Sequence, residues 1–141
     1  MKRSEATFGI FGVFLFAVVA VSAQTPPVAT PPASLVARGE YLTTRVAMCV
    51  QCHSPRDEKG VIIEALRFTG APIPFQSPYA NGHWAAAAPN IRSLRGFTDE
   101  QALMLLTEGH AGERPAPQLP MPPFRMSQDD ARAVIAFLRA Q

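Results

Sequence analysis

Beyond residue 33, apolar side chains return at helical spacing in three stretches of the chain. The first runs through Leu35, Val36, Tyr41, Leu42, Val46 and Met48. Ser34 stands where an N-cap would accept a backbone N–H, so the spacing predicts a helix from Ser34 into Cys49 and Cys52. In the second, Thr98-Asp99-Glu100-Gln101 fits a capping box, Ala102, Leu105 and Leu106 share a face, and Gly109 offers a stop. The third opens at Ser127 and carries Ala131, Val134, Ile135 and Leu138 on one stripe with Phe137 beside it. Asp129 and Asp130 in its first turn and Arg139 in its last complement the helix dipole.

Between residues 55 and 97 no such period survives. Pro72, Pro74, Pro78 and Pro89, with Gly70 and Gly82, predict loops with a short helical turn. The pattern therefore gives a small all-α domain with terminal helices and a long irregular middle. About forty residues of loop in so small a domain need something to pack on, and a large buried cofactor would supply it.

Upstream, the pattern changes character. Met1-Lys2-Arg3 is basic, Phe8 to Val21 is apolar without a charge, and Val21-Ser22-Ala23 is small enough for a signal peptidase. Residues 1–23 therefore read as a signal peptide cleaved after Ala23, which sends the chain to the periplasm. The apolar run is shorter than the roughly twenty residues a bilayer span needs, so a membrane enters only if this segment is retained. Residues 24–33 hold four prolines and no apolar period, as an extended tether would. Residues 34–141 remain as one domain without internal repeats.

Composition narrows the field. Apolar residues make up 48% of the chain, enough for a core, and fourteen prolines against nine glycines favour helices with stiff connections over sheet. The formal charge of +2 falls to +1 once Lys2, Arg3 and Glu5 are removed, and no run of Lys or Arg with interleaved aromatics points to nucleic acid. Paired catalytic carboxylates, a Gly-rich phosphate loop and a Ser/His/Asp arrangement leave no recognisable trace, so an enzyme is not expected.

The chemistry concentrates in Cys49-Val50-Gln51-Cys52-His53, which holds both cysteines and one of three histidines. A structural zinc site wants four ligands, and no second cysteine pair exists; His83 and His110 would have to complete it. A thioredoxin-like pair belongs at the end of a strand, against the helical signals, and has no use for His53. A Cys49–Cys52 disulfide closes too short a loop to stabilise much. Haem attachment uses all three residues. At i, i+3 and i+4 of a helical turn, Cys49 and Cys52 can form thioethers to two vinyl groups while His53 reaches iron from the same side.

The segments "ARGEYLTTRVAMCVQCHSP" (37–55), "APNIRSLRGFTDEQALMLLTEGH" (88–110) and "PMPPFRMSQDDARAVIAFLRAQ" (120–141) resemble small bacterial class I c-type cytochromes, particularly those attached to periplasmic dehydrogenases. The resemblance spans 34–141, loosely over 56–87. It implies a cytochrome c-like fold whose first and last helices cross near one covalent haem c, thioethers on Cys49 and Cys52, His53 as proximal iron ligand and Met121 as distal ligand. Pro120, Pro122 and Pro123 around Met121 restrict its backbone. Met126 better suits a hydrophobic staple before Ser127, Met104 sits in a helical stripe, and Met48 adjoins Cys49. His83, His110 and an open position also compete for the sixth site.

The resemblance further implies a backbone carbonyl on the second ring nitrogen of His53, with Pro72 or Pro74 in the right region. Trp84, Asn90, Arg92 and Arg95 stand as candidates for the haem propionates, and each could instead fill an ordinary structural or solvated role. Gly39 and Tyr41 are expected to meet Phe137. With His and Met both bound the iron has no vacant site, which makes the protein a one-electron carrier whose partner is another redox protein. A cytochrome subunit of a periplasmic dehydrogenase or oxidase complex is the second reading, and a haem enzyme or gas sensor with an open site the third.

Overall fold

A computed structural model describes residues 31–78, 80 and 83–141; the signal peptide and most of the tether expected from sequence lie outside them. Helix α1, Ala33–Tyr41, starts without a side-chain cap, on Pro32 rather than Ser34. The proline ring there fixes φ, at −55°, and with ψ at 140° the chain enters the helix without a capping hydroxyl.

The first helix does not continue into the cysteines as its spacing suggested. At Leu42–Val46 it widens into a π-helical turn, closed by the Ala47 N–H donating to the Leu42 carbonyl at 2.8 Å. Met48 then takes a left-handed φ of 56°, and a separate short helix α2 begins at Cys49. The wider turn shifts the phase of the stripe. Leu42 is buried, whereas Val46 and Met48, counted on the same apolar face from sequence, are 55% and 42% exposed.

The remaining helices follow their sequence signals closely. Helix α3, Asp99–Glu108, carries the full Thr98/Gln101 capping box and ends on Gly109 at φ 81°. Helix α4, Gln128–Arg139, is capped by Ser127, whose Oγ accepts the Asp130 N–H, and it buries every residue from Ala133 to Leu138. Between α2 and α3 the chain is irregular, with 3-10 turns at Glu64–Leu66 and Arg92–Leu94 and one two-residue antiparallel pair, β1 Ala71–Pro72 with β2 Ala87–Ala88.

The core forms where α4 packs across α1 and against α3. Gly39 makes the crossing with α1 possible, because a Cβ there would stand 2.0 Å from the Ala133 carbonyl oxygen and 2.6 Å from Phe137 Cβ. The expected meeting of Gly39 with Phe137 is thus present, while Tyr41 lies 53% exposed with Arg38 over its ring. Phe68, fully buried, brings the middle segment to the core by setting its ring edge-on to Phe137 at 5.6 Å. Full burial of one such aromatic contributes roughly 1.5–3 kcal/mol.

Candidate functional site

Helix α2 is only Cys49–His53, too short to be stable alone, and its last carbonyl is bonded from outside. Val50 turns inward to the core and Gln51 outward, which leaves the two thiols half-buried on the remaining face. The cysteines are not joined to each other. Burial pushes the Cys49 thiol up to about 11, with Cys52 adding to the shift and a backbone hydrogen bond opposing it, so the sulfur stays protonated near neutral pH. Cys49, Cys52 and His53 do not converge on one point as metal ligands would; among the described residues no three His, Cys, Asp or Glu side chains do.

His53 is 6% exposed, and its Nδ1 lies 2.7 Å from the Pro89 carbonyl oxygen. A carbonyl only accepts, so Nδ1 carries the proton and Nε2 keeps its lone pair. Burial lowers the ring's pKa below the ordinary histidine value, and the Pro89 bond partly opposes this; the imidazole is neutral, as a metal ligand must be. The acceptor is neither Pro72 nor Pro74. Both lie in the right part of the chain, but Pro72 is in β1, and that strand pairs with β2 so as to deliver the next residue after β2, Pro89, to the ring. Two further contacts close the loop around His53. The Gly70 N–H donates to the His53 carbonyl at 2.8 Å, and Gly70 itself, at φ 90°, abuts Pro89 so tightly that a Cβ would stand 2.9 Å from its carbonyl carbon.

Met121 lies elsewhere in the chain, half-buried, in the wall of a cavity of about 260 Å³ lined also by Leu105, Leu119, Pro122 and Pro123. Its backbone N–H bonds the Gln118 carbonyl at 3.2 Å, closing a turn among the prolines. The segment before Pro89 ties this loop to the histidine side. Ala85 donates its N–H to the Leu119 carbonyl at 2.7 Å, and Trp84 bridges to Leu119. Four residues on, Pro89 holds His53. Four extended steps span at most about 14 Å, so the contacts to the Met121 loop and to the His53 ring are made from one short segment.

The remaining candidates divide. Met126 precedes the Ser127 cap and packs on the core, as a staple would. Met104 is half-buried in α3, and Met48 is mostly exposed. His110 pairs with Glu108 at 3.1 Å on the surface, and His83 is exposed. Trp84 donates its N–H to the Phe75 carbonyl, a structural role, and Asn90 accepts the Arg92 N–H. Arg92 donates one amino group to the Ala65 carbonyl while its Nε is buried with no partner among the described residues. Arg95 is exposed. A larger, polar cavity of about 470 Å³ beside Glu40, Arg45, Gln51 and Arg67 includes none of Cys49, Cys52, His53 and Met121.

A neutral imidazole oriented from behind, two free thiols on the same helical turn and a thioether in an apolar wall form a donor set suited to haem. The family model described as Cytochrome c matches residues 36–141, and the chain belongs to that family. It is therefore a haem-binding electron-transfer protein. No curated protein matches it.

Sequence reasoning missed Pro89, Gly70, Phe68 and Ser54. The only signals were a Gly beside a Pro-rich stretch and a Ser directly after the histidine, neither distinctive without the fold.

Proposed function

We propose that the protein is a periplasmic one-electron carrier with a single covalent haem c, attached through Cys49 and Cys52 and ligated by His53 and Met121. The observation that carries this reading is the buried His53 ring, its Nδ1–H spent on the Pro89 carbonyl and its Nε2 lone pair free, on the same turn as two unpaired thiols. When bound, the haem would supply one-electron redox chemistry. Cys49 and Cys52 would hold the group to α2 through thioethers. His53 would be the nitrogen ligand, with basicity raised by its bond to Pro89. Met121 would be the thioether ligand, which favours Fe(II). Leu105, Leu119 and the prolines give that sulfur a largely apolar surrounding. The buried, unpartnered Arg92 Nε suits a haem carboxylate.

Export rests on the N-terminal sequence, and among the described residues no helix is long and apolar enough to cross a membrane. The partner is a redox protein. With a net charge of only +1 after processing, docking depends on short-range contacts more than on long-range steering. A dehydrogenase or oxidase complex holding the chain as a subunit suits that surface. Expression with c-type maturation, followed by haem staining of the denatured polypeptide, tests attachment. Rapid carbon monoxide binding by the ferrous wild type would instead favour an open-site enzyme or sensor.

A further inference from the structure

The carbonyl that orients His53 lies in a segment packed against the 68–70 turn, and that turn is bonded by the serine next to the histidine. Ser54 is 1% exposed, and its Oγ accepts the Phe68 N–H at 3.1 Å. Phe68 has a left-handed φ of 63°, which bulky L-residues rarely adopt. Such a conformation persists only where the surroundings over-determine it. Here both of its backbone groups are engaged, because its carbonyl accepts the Ile91 and Arg92 N–H groups at 2.9 and 3.1 Å. Two residues on, Gly70 bonds the His53 carbonyl and abuts Pro89. The 68–70 turn therefore grips the Pro89 segment at both ends, and Ser54 anchors the turn.

We propose that Ser54 is a positioning residue for the haem iron: its hydroxyl holds the Phe68–Gly70 turn, the turn sets the Pro89 carbonyl, and the carbonyl sets how strongly the His53 Nδ1–H is bound. This rests on His53 being the proximal ligand. A strongly bound Nδ1–H gives the imidazole more anionic character and makes it a better donor to Fe(III), which lowers the reduction potential. Loosening the turn raises it. A serine that served stability alone would lower the melting temperature and leave the potential where it was.

The test uses the haem-bearing protein, wild type against Ser54→Ala and Ser54→Thr. Two quantities are read: the reduction potential, and the exchange rate of the His53 Nδ1 proton by NMR in the reduced state. Ser54→Ala should raise the potential and speed exchange roughly fivefold or more, as loss of one net hydrogen bond implies. Ser54→Thr, which keeps the hydroxyl, should return both toward wild type. Unchanged potential and exchange in Ser54→Ala overturn the proposal, as does a Ser54→Thr variant that departs as far as Ser54→Ala. If Ser54→Ala does not fold, Ser54→Cys keeps the volume with a weak acceptor and is judged by the same two readings. A wild-type chain without haem would overturn the proposed function as well; wild type with haem and an unresponsive Ser54→Ala overturns only the role of Ser54.

Discussion

At the scale of single residues, the proposed haem site separates groups that would bind from groups that hold them in place. Met121 sits in an apolar wall and Met126 serves the core beneath the Ser127 cap, so truncating them should have opposite signatures. Met121→Ala should remove six-coordination, lower the reduction potential and let ferrous protein bind carbon monoxide. Met126→Ala should keep the wild-type spectrum and lose about 1–2 kcal/mol of stability, less than a fully buried Met→Ala change because Met126 is only partly buried. Absorption spectra with and without carbon monoxide, and a thermal melt, distinguish them. Cys49→Ala or Cys52→Ala should each leave one thioether, so that haem remains attached but shows a shifted haemochrome band; the double variant should release haem into acidified acetone. This half of the proposed site is legible in the sequence because covalent attachment and ligation on one helical turn would require those residue types at fixed spacing. Pro89 stayed hidden because any carbonyl can accept from an imidazole, and which one arrives is decided by the pairing of β1 with β2, a contact between residues far apart in the chain.

At the scale of elements, the crossing of α1 and α4 fixes the frame on which α2 stands. Gly39→Ala would put a methyl carbon 2.0 Å from the Ala133 carbonyl oxygen, a backbone atom that cannot swing aside. Overpacking there should cost about 3 kcal/mol or more, and melting should fall by more than about 10 °C for a domain of this size. A variant that melts within two or three degrees of wild type would show that the helices are free to separate. Thr98→Ala removes the acceptor for the Gln101 N–H and should cost about 1 kcal/mol without altering the haem spectrum. Helices α3 and α4 were legible to within a residue because each has a capping residue and an amphipathic period to mark it. The break between α1 and α2 was not. A π-helical turn keeps helical composition and leaves apolar residues in place while changing which way they face, so Val46 and Met48 read as core and stand in solvent.

At the scale of the whole molecule, the described residues of 54–98 form short turns, one two-residue strand pair and isolated bridges, and they reach the core through few side chains, Phe68 chief among them. A bound haem would give this segment its missing surface, so protein made without haem should lose protection from amide exchange across 54–98 first, with α4 the last to open. For the proposed carrier, the low net charge should make association with a redox partner weakly dependent on salt: raising ionic strength from about 0.01 to 0.15 M should change the bimolecular electron-transfer rate by less than about threefold, against the steep fall that strongly steered pairs show. The central claim is a covalent, His/Met-ligated haem, and it is tested most directly by oxidised and reduced absorption spectra of protein exported in a host with c-type maturation, before and after acid-acetone extraction. Colour that stays with the polypeptide, with a methionine-to-Fe(III) charge-transfer band that vanishes on reduction, is the expected result; colourless polypeptide after extraction, or an oxidised spectrum without that band, would contradict it.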